Sequence, residues 1–189
     1  MSSAGEGGPT TATQRLFLAL WPDEGVRTRL AQVRDLVAAH HHGKPVDAQN
    51  LHITLAFLGS VDAERQRCAE AAAAAVAVPS FTLILDCLGH WPRPQVSWVG
   101  SASTPDAMNE LMAYLRRTLT RCGFELDNRP FRPHVTLLRK AHGKAGFPPL
   151  LAPPVEWPVT QIHLVASLTH PEGAEYRIVG TWPLANGAD

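Results

Sequence analysis

The chain has 189 residues, of which 45% are hydrophobic and 18% charged, and its 17 basic and 17 acidic side chains cancel. That length supports one domain, or two small lobes on a shared core, without a disulfide framework or a structural metal. The balance excludes a disordered chain, and the zero net charge excludes coating by nucleic acid through bulk charge, leaving only a local basic patch.

Residues 1–14 are small and polar, with no basic region and no apolar core, so they are not a secretory signal. Residues 1–13 read as a disordered leader and 14–189 as a single domain. No apolar run is long enough to span a membrane. Cys68, Cys87 and Cys122 are an odd number without C-x-x-C spacing. This favours buried thiols in a reducing cytoplasm over disulfides or a zinc site.

The apolar run 15–21, stopped by Pro22, suits a buried strand. Asp23 is placed to cap a helix over 24–39, with Val26, Leu30, Val33, Leu36 and Val37 at helical spacing. The tract 40–45 ends that helix and opens a loop; its three consecutive histidines fit a loop better than a metal site, because neighbours seldom converge on one ion. A strand over 51–58 closes at Gly59. A helix rich in Ala starts at Asp62 and runs to about Val78, where Pro79 stops it. Strands follow over 81–88 and 95–99. Thr104-Pro105 opens a third helix, with Thr as cap and a stripe of Met108, Leu111, Met112, Leu115 and Leu119. A strand over 132–140, a Pro/Gly-rich loop over 143–154, and strands near 159–167 and 176–182 complete the chain. Between the last two, 169–173 reads as a hairpin turn. The order is that of an α+β fold with substantial antiparallel pairing.

His-x-Thr-Leu occurs twice, as His52-Ile53-Thr54-Leu55 and as His134-Val135-Thr136-Leu137. A shuffled chain of this composition would carry roughly 0.07 copies. Each copy follows a helix and lies on an expected strand, which suggests two similar lobes related by a rough two-fold. Alternate strand residues share a face, so His52 points with Thr54, and His134 with Thr136, while the intervening apolar residues enter the core. Two such strands facing one cleft suit phosphodiester hydrolysis. One neutral imidazole takes a proton from water, and the other, charged, protonates the departing oxygen on the far side of phosphorus. Both forms coexist near pH 7. The two threonines donate hydrogen bonds to the non-bridging oxygens, and none of these roles calls for a metal or cofactor.

Between residues 129 and 144 lie five cations, Arg129, Arg132, Arg139, Lys140 and Lys144, and no acid. This is a local attraction for phosphate. Arg139 closes the strand of the second motif and is the candidate phosphate ligand. Arg129 and Arg132 are candidates for orienting the loop or touching RNA. Trp91, Trp98, Phe57 and Phe131 are aromatic enough to stack on bases, but core packing is the better reading for most of them.

On Arg15-Leu-Phe-Leu-Ala-Leu, Asn50-Leu-His-Ile-Thr-Leu-Ala-Phe-Leu-Gly59 and Asn128-Arg-Pro-Phe-Arg-Pro-His-Val-Thr-Leu-Leu-Arg139, the sequence resembles the two-histidine phosphoesterases. Within them it resembles the RNA 2',3'-cyclic phosphodiesterases, also called 2'-5' RNA ligases. The resemblance implies a bilobal fold with one motif from each lobe on a central cleft. It implies hydrolysis of a 2',3'-cyclic phosphate to a 2'-phosphate, with His52 as proton donor and His134 as acceptor. The residues alone leave that assignment open, because the motifs are nearly symmetric. The expected enzyme is a cytoplasmic monomer acting on RNA ends that carry the cyclic phosphate. The alternatives are ligation at the same site, a small cyclic nucleotide as substrate, and an RNA-end-binding module without turnover.

Overall fold

A computed structural model describes residues 13–127, 129–170 and 173–186. Residues 1–12 of the expected leader and the Pro171-Glu172 pair of the expected hairpin turn lie outside the described residues.

Four strands, β1 (Gln14–Leu20), β3 (Ile53–Val61), β8 (Gln161–His170) and β9 (Gly173–Pro183), form one antiparallel sheet in the order β3-β1-β8-β9. Five more, β2 (His42–Pro45), β4 (Phe81–Trp91), β5 (Val96–Gly100), β6 (His134–His142) and β7 (Leu150–Val159), form a second in the order β2-β6-β5-β4-β7. The first motif therefore belongs to one sheet and the second to the other. The lobes interleave along the chain: β1 pairs with β3 on one side and with β8 on the other, so the first sheet joins both ends of the chain, while the helix between β1 and β3 packs on the other sheet.

That helix, α1 (Glu24–His40), is capped by the Asp23 carboxylate, which accepts from the Val26 amide at 2.8 Å. Val26, Leu30, Val33 and Val37 face β2, β6 and β7, whereas Leu36 is 45% exposed and falls outside the buried stripe. The second helix, α2 (Ala63–Ala74), is capped by Asp62 but stops short of the expected Val78, and the chain unwinds so that Val76 and Val78 reach the core. It packs on α3 (Asp106–Arg121), whose buried stripe is Met108, Leu111, Leu115 and Leu119. Pro105, not Thr104, takes the cap position of α3 and supplies no side-chain bond. Its carbonyl instead accepts from the amides of Met108 and Asn109.

Three further sequence expectations are corrected. The 40–45 tract contains an edge strand, β2, paired with β6. The expected loop over 143–154 contains the start of β7, where Pro153 and Pro154 are tolerated because β7 is the opposite edge. Cys68 and Cys122 are joined in a disulfide between α2 and the end of α3; Cys87 is free and partly exposed.

Candidate active site

Each motif strand carries an extra residue at the same place, the motif leucine. Between β1 and β3, Ala19 pairs with Thr54 and Leu18 with Ala56, so Leu55 has no partner. Between β5 and β6, Trp98 pairs with Thr136 and Ser97 with Leu138, which leaves out Leu137. Such a bulge reverses the alternation beyond it. A strict period of two would turn Leu138 toward the cleft and Arg139 into the core. The bulge instead buries Leu137 and Leu138 together, both 0% exposed, and returns Arg139 to the face of His134 and Thr136.

All five candidate residues, His52, Thr54, His134, Thr136 and Arg139, line one cleft between the sheets, joined there by Val46 and Asn50. The two imidazoles are held alike. His52 Nδ1 is 2.7 Å from the Asn50 carbonyl and His134 Nδ1 is 2.8 Å from the Arg132 carbonyl, each two residues back. A carbonyl only accepts, so each Nδ1 carries the proton and each Nε2 is the titrating atom. Their surroundings differ. His52 Nε2 lies 3.1 Å from Thr54 Oγ1, and the hydroxyl donates to it while the ring is neutral.

Aromatic rings enclose His52. Trp21 lies flat on it, with centroids 5.2 Å apart and planes 8° apart; Tyr176 meets it edge-on at 5.3 Å, and Phe17 packs at 5.0 Å. His134 has one such neighbour, Trp91, edge-on at 4.6 Å. Burial accordingly pushes the His52 pKa down to about 4 against the bond to Asn50, with Arg139 and His134 adding repulsion. Burial also lowers the His134 pKa, opposed by its bond to Arg132. Both lowered values leave the rings neutral at pH 7.

Sequence reasoning missed the wall around His52. Trp21, Tyr176 and Phe17 come from the end of β1, from β9 and from β1, and no local pattern links them. Of the residues it weighed for stacking, Phe57 is 73% exposed and so is not a core residue, while Phe131 is partly buried against the core. Trp98 packs on Trp91 at 5.0 Å. Arg132 orients His134 through its carbonyl, and its side chain is exposed. Arg129 is ion-paired with Asp127, just upstream of the acid-free run. Of the consecutive histidines, His41 is buried against the Ser97 hydroxyl at 2.7 Å.

The sequence model of the 2'-5' RNA ligase superfamily matches residues 22–171. The chain belongs to that superfamily. It is 38% identical over 173 residues to the RNA 2',3'-cyclic phosphodiesterase of Escherichia coli strain K12, covering 90% of this chain and 97% of that protein. Among solved structures, E. coli LigT in its apo form superposes with a TM-score of 0.83 at 36% identity, covering 93% of this chain and 99% of LigT. LigT complexed with 3'-AMP gives 0.83 at 37% identity, covering 92% and 99%. The expected mixed fold, with two mainly antiparallel sheets, is therefore also that of its superfamily relatives. Among the described residues of this superfamily member, no helix is long and apolar enough to cross a membrane, and no three His, Cys, Asp or Glu side chains group as metal ligands do.

Proposed function

We propose that this chain is an RNA 2',3'-cyclic phosphodiesterase that opens a terminal cyclic phosphate to a 2'-phosphate. The observation that carries this is the pair of imidazoles, each with Nδ1 tied to a carbonyl, facing one cleft with two hydroxyls and a guanidinium.

Water attacks phosphorus as His134 Nε2 takes its proton. The bond from phosphorus to the 3' oxygen breaks, and His52 Nε2–H protonates that oxygen, leaving a 3'-hydroxyl and a 2'-phosphate. Thr54, Thr136 and Arg139 hold the non-bridging oxygens, where charge grows. His52 Nε2 is bonded to Thr54, whereas His134 Nε2 has no hydrogen-bond partner among the described residues; this supports the assignment, because a base must be free to meet water. The lowered pKa leaves His52 neutral at pH 7, so substrate binding must raise it: the phosphate anion offsets Arg139 and favours imidazolium. One chain supplies every group, so a monomer suffices.

The deciding experiment is product analysis on an RNA ending in a 2',3'-cyclic phosphate. A 2'-phosphate is expected, and loss of turnover by about 10² or more in both His52→Ala and His134→Ala. A 3'-phosphate product, or near-normal rates in either variant, would overturn the mechanism. A joined strand as main product would show the same site running as a ligase.

A further inference from the structure

The cleft opens past Val46, Asn50 and Arg139 into a wider groove whose walls come from α1, β2, β6 and β9. On its floor, Lys44 of β2 and Arg139 of β6 are register partners. Cross-strand partners project from the same face with Cβ atoms about 5 Å apart, and two like charges so placed destabilise the pair. No carboxylate closes either cation among the described residues. The groove is not short of acids, but two are engaged elsewhere: Asp35 pairs with Arg34 at 2.8 Å, and the Asp47 carboxylate accepts from the Gln49 amide at 3.0 Å. Glu175 stands on the β9 wall beside Tyr176. Two neighbouring cations without an ion-pair partner among the described residues, beside a phosphodiesterase cleft, call for an anion.

A cyclic phosphate is a monoanion, and Arg139 already faces it. We infer that Lys44, one strand further out, forms a second phosphate subsite that holds the phosphodiester joining the terminal nucleoside to its 5' neighbour. The inference rests on the hydrolase reading above and extends it: the preferred substrate has at least two nucleotides, and its strand leaves along the groove between β2 and β9.

The test compares kcat/KM on a nucleoside 2',3'-cyclic phosphate and on a dinucleotide with the same cyclic end. The wild-type chain should favour the dinucleotide, and Lys44→Ala should reduce that preference by up to about fivefold. Raising salt from about 50 to 200 mM should cost the dinucleotide roughly threefold more than the mononucleotide, as expected for one phosphate contact on a single strand. That extra salt dependence should vanish in Lys44→Ala and persist in Lys44→Arg. Arg67→Ala, which removes an exposed cation on α2, should change neither quantity. Equal losses on both substrates in Lys44→Ala would place Lys44 on the reacting phosphate, and an unchanged preference would leave it without a ligand. Either result overturns the subsite and leaves the hydrolase reading standing. No turnover of either substrate by the wild-type chain overturns both.

Discussion

Arg139 and Phe57 occupy equivalent places in the two motifs. Each stands five residues after its histidine, and each is carried to the cleft side by the bulge at its motif leucine, Leu137 or Leu55. Phe57 packs on Phe17, which in turn touches His52. The repeated motif thus matches a guanidinium with an exposed aromatic ring, and the site is chemically one-sided despite its matched histidines. One wall suits phosphate and the other an apolar or aromatic group such as a nucleobase.

Substitution should separate the two walls. Arg139→Ala removes charge from the developing transition state and should lower kcat/KM by about 10². Phe57→Ala should raise KM by about tenfold with kcat little changed, the loss expected when one stacked base is released. Steady-state kinetics on one cyclic-ended RNA checks both, and a fall in kcat alone for Phe57→Ala would exclude a stacking role.

The pH dependence follows from the two lowered imidazole pKa values. A lowered value means that the free enzyme protonates each ring below the usual value, His52 near pH 4 and His134 at some point below 6.5. The reactive form needs one ring charged and one neutral. Its abundance therefore falls as pH rises past about 6.5, tenfold per unit, and falls again below the His52 value. The profile of kcat should lie at higher pH than that of kcat/KM, because the bound anion favours imidazolium. Exchanging the two roles would leave both profiles the same, so the profiles test the pair. Trp21→Leu opens the flat face of His52 to water and should raise its pKa toward 6.5, read from the ring protons by NMR titration. A flat kcat/KM from pH 5 to 8, or an unmoved His52 titration in Trp21→Leu, would contradict this account.

Much of this site is readable in the sequence because a strand is a simple code. Period two places His with Thr, and the repeat places two such pairs. What period two cannot show is a bulge: the sequence places Arg139 at the close of the second motif's strand, where strict alternation would turn it inward. The edge strands were missed for a different reason. His42–Pro45 is short and polar, and Leu150–Val159 holds three prolines, so both look like loops until the partner strand is known. Contacts between distant segments, such as Trp21 and Tyr176 on His52, or Cys68 and Cys122, have no local signature.

The disulfide joins residues 54 apart in sequence. Closing a loop of that length restricts the unfolded chain by about 4 kcal/mol in the chain-entropy picture. Cys68→Ser should shift the urea midpoint downward accordingly, and dithiothreitol should move the wild-type chain to the same place. Neither cysteine lines the cleft, so kcat should hold in the variant. Coincident unfolding curves with and without reductant would show that the link contributes nothing to stability in solution.

Gly89 reaches the site through two tryptophans. It pairs with Trp98 across β4 and β5, and a Cβ there would fall inside the Trp98 indole. Trp98 packs on Trp91, and Trp91 sets its edge against His134. Gly89→Ala should therefore act twice, costing about 1–3 kcal/mol through overpacking and lowering kcat as the displaced indoles shift His134. Gly59 provides the contrast. Its φ of +74° strains any side chain, but nothing lies within 4 Å of a Cβ at that position. Gly59→Ala should cost about 1–2 kcal/mol with kcat retained. Urea denaturation paired with single-turnover rates distinguishes the two. If Gly89→Ala loses stability but keeps its rate, the tryptophans support the sheet and not the catalytic ring.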